Sequence, residues 1–269
     1  MGCYPIPAVH PANPVPAQGF ACNSGYTLPT MDKALVSLTF DDGLRCQFDR
    51  AIPILREHNF PATFFLVANT DPIHTDGGQH PDWYKIDWSQ QDIRLLKDLL
   101  RQGHEIGAHS VHHREPFLSN DPKGEAENSK KWIEEQLEEE VLSYCYPFYK
   151  VTGPIKSAVI AAGFKQARAG LQNSYYTGEN SLDWFEVDCR QILRTGENVG
   201  SWVRPGCWHV LTFHGIGSDE DGWEPITELE FARQMAELAK YYDEGRVELV
   251  TFKDGADRLR QIEGGSPQL

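Results

Sequence analysis

The chain has 269 residues, 40% of them apolar and 24% charged, with a formal net charge of -14. That length and apolar content suffice for one barrel-sized core or two smaller ones. The acidic balance argues against binding nucleic acid or an anionic membrane through general electrostatics, and no apolar run approaches the roughly 18 residues of a transmembrane helix.

The first 30 residues, rich in Pro and small side chains, are expected to form an irregular arm ahead of a single domain over 31–269. They lack the basic-then-apolar pattern of a secretory leader, so the chain as written reads as cytoplasmic, and as extracellular if a leader has been removed. The start "MGC" lacks the hydroxyl residue that N-terminal acylation needs at the sixth position. Six cysteines, Cys3, Cys22, Cys46, Cys145, Cys189 and Cys207, show no CxxC spacing. Reduced, buried thiols are therefore expected rather than a structural zinc finger, with a Cys3–Cys22 disulfide as the alternative.

Beyond the arm, short apolar runs alternate with helical patterns. "ALVSLTF" predicts a strand, and in "QFDRAIPILREHN" Phe48, Ala51, Ile52 and Leu55 share one helical face. "ATFFLVA" predicts a buried strand. "SQQDIRLLKDLLRQG" predicts a helix with Ser89 and Asp92 in capping-box spacing and a stop at Gly103. "HEIGAHS" is a third strand, "EAENSKKWIEEQLEEE" an acidic helix and "VLSYCYP" a strand. "PIKSAVIAAG" is a helix opened by Pro154, and "FKQARA" a short strand. "WHVLTFHG", the Thr227-capped helix "TELEFARQMAELAKYYDEG", "VELVTF" and "KDGADRLRQI" complete the alternation. Seven or eight such units predict an α/β fold, a distorted (β/α) barrel.

Barrel chemistry collects where strands end. Asp41 and Asp42 end the first strand, His109 and His113 follow the third, and His214 ends "HVLTF". Two adjacent carboxylates call for a nearby cation. In "HSVHH" the spacing of four places both imidazoles on one side if the segment forms a helical turn. Two imidazoles and one carboxylate make a triad with open positions, suited to a catalytic divalent ion. Each element alone has an ordinary explanation: a chance histidine pair, an aspartate turn closed by Gly43, a structural histidine. Their joint placement on successive strand ends favours a site. One aspartate then ligates the metal while the other accepts a proton from water, and His214 protonates the leaving group.

These residues resemble the polysaccharide deacetylase family, the NodB-homology domains or carbohydrate esterase family 4. "TFDDG", "HSVHH" and "LTFHG" stand in the family's order, and the resemblance spans roughly Leu35 to Phe252. It implies a distorted (β/α) barrel in which Asp41 is the catalytic base, Asp42, His109 and His113 hold one divalent metal, and His214 is the acid. Zn²⁺ is the first expectation for the metal, with Co²⁺ and Ni²⁺ as alternatives. The Arg-x-Pro-Tyr motif aligns with "CYPFY", so the backbone N–H of Phe148 is implied as an oxyanion donor.

Two departures stand out. Cys145 occupies the position where many members carry the arginine that pairs with the base. The family's Asp-x-x-Asp-Trp motif has only imperfect counterparts in "SLDWFEVDCRQIL", at Asp188 or at Asp183 and Trp184. Joint loss of the arginine and its acidic counterpart would leave neither charge orphaned. Among rim aromatics, Trp83, Tyr84, Trp184, Phe148 and Trp223, the last is the leading candidate for stacking on a sugar ring. The acidic loop "GSDEDG" reads as a solvated turn.

The partner these features imply is an acetylated carbohydrate, and the activity is removal of N-acetyl groups from an amino-sugar glycan. The competing readings are an O-acetyl xylan esterase, a small cyclic-amide hydrolase of the same fold, and an inactive carbohydrate-binding relative. Oligomeric state has no signature in the sequence.

Overall fold

The computed structural model describes residues 31–68, 85–170, 176–177, 182–192 and 203–264. The arm over 1–30, the Cys3–Cys22 pair, Trp83 and Tyr84 lie outside the described residues. The elements follow in chain order as β1 (Ala34–Phe40), α1 (Ile52–Glu57), β2 (Thr63–Leu66), α2 (Gln90–Arg101), β3 (Glu105–Ala108), α3 (Glu115–Asn120), α4 (Pro122–Leu137), β4 (Ser143–Cys145), α5 (Gly153–Ala161), β5 (Gln166–Arg168), β6 (Tyr176–Thr177), β7 (Arg190–Gln191), β8 (Cys207–Phe213), α6 (Glu228–Asp243), β9 (Val247–Leu249) and α7 (Phe252–Gly264). A π-type turn over Gln47–Ala51 leads into α1.

Parallel strands run in the order β5-β4-β3-β2-β1-β8. One edge of β1 is shared: β2 takes its carboxyl half at Thr39 and Phe40, and β9 takes its amino half from Ala34 to Val36. The far side is closed by irregular chain. Val187 bridges Arg168 of β5, and three residues on Arg190 begins the ladder with β8. The distorted (β/α) barrel expected from the alternation is what forms.

Period-two alternation explains how β1 can be buried along its whole length. Ala34, Val36, Leu38 and Phe40 face outward into the core beneath the helices. There Phe40 stacks between Phe64 and Phe213 at centroid distances of 5.0 and 5.3 Å. The inward file is Leu35, Ser37, Thr39 and then Asp41, so the inner face turns polar toward the carboxyl end. Neighbouring strands repeat the pattern with Glu105, Gly107 and His109 after β2, Ser143 and Cys145 on β4, and Gln166 and Arg168 on β5, all on alternate positions. Gly107 is required for packing, because a Cβ there would lie 2.5 Å from the Phe65 ring. At the amino-terminal end Phe252, Ala256 and Leu259 of α7 join Leu35, Phe65 and Trp208 in a second apolar cluster. Buried Glu105 accepts from Thr63 Oγ1, from Ser143 and from the backbone N–H of Lys253 at the start of α7.

Local expectations hold in part. Ser89 and Thr227 cap α2 and α6 through the N–H groups of Asp92 and Glu230. Neither acidic partner closes a capping box: Asp92 instead binds Arg45 through both oxygens at 2.8 and 2.9 Å, and Glu230 binds Arg233. The acidic helix starts at Pro122, three residues before the expected Glu125, because Asp121 caps it and Pro122 fills its first position. It stops at Leu137 because Glu138 adopts a left-handed conformation. Cys46, Cys145, Cys189 and Cys207 are buried and free, as expected for reduced thiols.

Candidate active site

Five strands deliver side chains to one rim. Asp41 continues the inward file of β1, and Asp42 would point outward if the strand ran on. It adopts φ 75° and Gly43 φ 71°, so the chain turns and both carboxylates reach the same cleft. Adjacent aspartates thus share a site through a left-handed turn rather than through strand geometry.

A similar device replaces the helical turn expected for "HSVHH". Residues 109–113 form an irregular loop in which Ser110 and His113 take φ 65° and 51°, and Ser110 Oγ accepts from the His113 N–H at 2.9 Å. The ring centroids of His109 and His113 then lie 4.6 Å apart. Five of the nine non-glycine residues with positive φ among the described residues, Asp42, Ser110, His113, Phe148 and Tyr149, line or frame this cleft. Such conformations cost of order 1–3 kcal/mol each and persist where surrounding structure over-determines them.

The Nε2 atoms of His109 and His113 each lie 3.5 Å from Asp42 Oδ1. Ligands bound at about 2.0–2.2 Å around one divalent ion are separated by roughly this much, so the three donors fit a metal. His109 Nδ1 donates to the Cys145 carbonyl at 2.9 Å, which aims Nε2 at the triad. Burial opposes charge on this ring, but Cys145, Asp42 and Asp41 hold its pKa well above the usual 6.5, so an ion bound at Nε2 would displace a proton. Burial opposes the charge on Asp42, yet the imidazoles of His109, His113 and His214 hold its carboxyl well below the usual range. Burial pushes His113 down to about 4, leaving a neutral ring able to ligate. A second triple, Asp41, His109 and Cys145, also has donors within reach of one another. A guanidinium already binds Asp41 Oδ2 and Cys145 Sγ there, so the first triple is the better metal site.

That guanidinium belongs to Arg168, which ends β5 and is fully buried. Its Nη2 binds Asp41 Oδ2 and Cys145 Sγ, and its Nη1 binds Thr212 Oγ1 and Cys189 Sγ. The joint loss of charges expected from Cys145 is thereby corrected: an arginine does face Asp41, from the strand beside the one that carries Cys145. The pattern of "FKQARA" predicts only a strand. The available signal was an arginine on the inward file of a buried strand, where an unpaired cation is not tolerated. Asp41 Oδ1 has no partner among the described residues.

His214 follows β8, with Nε2 3.5 Å from Asp41 Oδ2 and its ring 4.9 Å from Trp223 in a T-shaped contact. Burial lowers its pKa from the usual 6.5. Asp41, Asp42, His109, His113 and His214 together with Tyr146, Phe148, Tyr149 and Trp223 line a cleft of about 390 Å³. Phe148 and Trp223 are 51% and 54% exposed at its mouth, large for aromatic side chains.

Other sequence-predicted residues fall elsewhere. Asp183 pairs with Lys156, and Trp184 packs under the Arg260 guanidinium at 4.3 Å, so neither joins the cleft lining. What the segment contributes at the site is Cys189. In "GSDEDG", Asp221 is not solvated: it is buried and binds Arg50 at 2.7 Å and the Ser218 N–H at 2.7 Å, fixing the loop that carries Trp223.

Fold and cleft define a (β/α)-barrel protein with an Asp-His-His donor triad and a buried, arginine-paired aspartate at one rim. A polysaccharide deacetylase family model matches residues 29–167, about half the chain, and the protein belongs to that family of hydrolases. A peptidoglycan-N-acetylglucosamine deacetylase of Bacillus cereus is 28% identical over 220 residues, 80% of this chain and 86% of that protein. Among solved structures, a family 4 acetyl xylan esterase from Clostridium thermocellum in complex with a cobalt ion matches at TM-score 0.55 and 16% identity, covering 83% of this chain and 91% of the esterase. The Xyl-CE4 domain of a xylanase from the hindgut metagenome of Trinervitermes trinervoides matches at TM-score 0.54 and 14% identity, covering 88% and 94%. Among the described residues no helix is long and apolar enough to cross a membrane.

Proposed function

We propose that the protein is a metal-dependent hydrolase that removes N-acetyl groups from an amino-sugar oligosaccharide or polysaccharide. The observation that carries this reading is the differential partnering of the two adjacent aspartates. Asp42 Oδ1 converges with two imidazoles, whereas Asp41 is held by one oxygen and its other oxygen, beside the cleft, has no partner among the described residues. Asp42, His109 and His113 hold one divalent ion, Zn²⁺ by donor type with Co²⁺ and Ni²⁺ as alternatives. Bound there, such an ion supplies Lewis-acid polarisation of the acetyl carbonyl and acidifies a water.

The chain's own groups do the rest. Asp41 Oδ1 accepts the proton of the attacking water. His214, with Nε2 3.5 Å from Asp41 Oδ2, takes up the proton that Asp41 removed from the water and delivers it to the departing amine, so its ring starts and ends neutral. The N–H of Phe148 binds the developing oxyanion, presented by the left-handed backbone at 148. Trp223, braced by the Arg50–Asp221 pair, stacks on a sugar ring at the cleft mouth.

The N-acetyl preference is supported by the Bacillus cereus relative, and an O-acetyl xylan esterase is the second reading, favoured by the Clostridium thermocellum neighbour. Acetate release from N-acetylglucosamine oligomers and from acetylxylan, by chelated protein reconstituted with single divalent ions, separates the two. Faster release from the oligomers is expected. Asp41→Asn should lower release by about 10²–10⁴-fold while keeping one ion per chain. Full activity of that variant, or of metal-free protein, rejects the mechanism. One bound ion with no turnover on either polymer favours a carbohydrate-binding relative.

A further inference from the structure

We infer that Arg168 is the positioning residue for Asp41, and that Cys145, Cys189 and Thr212 are its cradle, so that the base is aimed from β5 rather than from β4. The inference rests on the hydrolytic reading of the same cleft and concerns how this chain has rebuilt it.

Four observations carry it. Arg168 is fully buried, and its two terminal nitrogens engage four acceptors from four separate stretches of chain: Asp41 after β1, Cys145 of β4, Cys189 ahead of β7 and Thr212 of β8. The planar fork is thereby fixed before it meets the carboxylate. Among these acceptors Asp41 is the only carboxylate, so the buried cation has one counter-charge and binds it through Oδ2 alone. Oδ1 is left buried and without a partner among the described residues, on a side chain that lines the cleft. Finally, the aromatic faces of Phe65 and Tyr149 each lie 5.5 Å from the guanidinium carbon, which closes the remaining sides.

The identity of residue 145 follows from the same geometry. Cys145 Sγ lies 3.7 Å from Asp41 Oδ2 and also touches Arg168 Nη2. A long side chain at 145 would compete with the guanidinium for that space, and a cationic one would put two like charges on a single buried carboxylate. A small neutral thiol at 145 and an arginine at 168 are thus one coupled arrangement. The departure at 145 is a relocation of the positive charge, not its loss.

Arg168→Lys tests this, because it keeps a buried cation while a single ammonium cannot reproduce the planar four-acceptor grip. On an N-acetylglucosamine oligomer the expected result is a fall in kcat of tenfold or more, with KM within twofold of wild type and one metal ion retained per chain. In an Asp41→Asn background the same substitution should cause no further loss, since the group it aims is gone. An unchanged kcat, a loss carried by KM or by metal content, or an equal loss in both backgrounds overturns the inference. A wild-type protein that releases no acetate, by contrast, is a failure of the functional reading and is read out before any variant is made.

Discussion

The two sides of the rim are built by opposite means. Over β1 and β3, the donors come from two short stretches, 41–42 and 109–113, whose backbone turns left-handed at Asp42, Ser110 and His113 to gather neighbouring residues onto one point. Over β4, β5 and β8, the residues around Arg168 come from four distant stretches with ordinary strand alternation, and side-chain reach does the gathering. The first side is local and gathered by left-handed backbone, the second non-local and gathered by side-chain reach, its left-handed residues Phe148 and Tyr149 lying in the turn after β4 and not among the acceptors of the guanidinium. The first can therefore be disabled through its loop, the second only through its central guanidinium.

The comparison is broken most completely at the metal side. Replacing His113 by Ala removes one of three donors and leaves Asp42 and His109 without the third vertex. Metal content by elemental analysis should drop below one ion per chain, and acetate release should fall by about 10³-fold or more if the ion carries the chemistry. Retention of both would move the site elsewhere.

A smaller effect probes what holds the strained loop. Glu125 of α4 is 4% exposed, and its Oε2 accepts from the backbone N–H groups of Val111 and His112, both at 3.0 Å, while Oε1 takes His112 Nδ1. His112 in turn stacks on Phe117 of α3 at 4.1 Å. Glu125 thus clamps the backbone between the two histidines of the candidate triad and is not part of the cleft lining. Glu125→Ala leaves two N–H groups without their charged acceptor, at about 1–3 kcal/mol each. Metal affinity, measured by competition with a chelator, should weaken by about 10–100-fold, as for other residues that orient ligands from behind. Unchanged affinity would mean the left-handed turns hold the loop without help.

The same contrast explains what was legible in the sequence. "TFDDG", "HSVHH" and "LTFHG" each pack chemistry into five residues, so spacing alone exposed the triad, although the local geometry is a strained loop and not the helical turn that spacing suggested. β1, α2 and α6 were legible because their periods are long and their caps, Ser89 and Thr227, are explicit. The short α3, β6 and β7 have too few residues to show a period. Arg168 was hidden for a different reason: its partners at 41, 145, 189 and 212 meet only when β5 sits beside β4 and the chain returns past it. The family match itself ends at Ala167, one residue short. Alternation of buried Gln166 and Arg168 with Ala167 and Ala169 was the physical clue, because a barrel-facing cation obliges an anion across the lumen.

The smallest effect lies at the opposite end of β3 and sharpens the comparison by leaving the rim alone. His104 precedes Glu105 at the amino-terminal end, is 8% exposed, and its Nδ1 accepts the Ala62 N–H at 3.1 Å. Burial, reinforced by Arg56, pushes its pKa down to about 4. The folded state keeps this ring neutral, while the unfolded chain protonates it below about 6.5. The unfolded state therefore binds the extra proton as pH falls from 6.5 to 4, and stability drops over that window by about 1.4 kcal/mol per pH unit. His209, buried and held near 4 as well, adds a term of the same sign. His104→Asn retains an acceptor near the Nδ1 position and removes one of these titrations, leaving those of His209 and of the rim histidines His113 and His214 in place. The acid-side slope of stability, from denaturant melts between pH 6.5 and 4, should become shallower by up to about 1.4 kcal/mol per unit, with metal content and acetate release at neutral pH unchanged. An unaltered slope would mean that His104 is solvated in the folded state. A loss of activity would mean that the two ends of β3 are coupled, contrary to the local origin of the metal side.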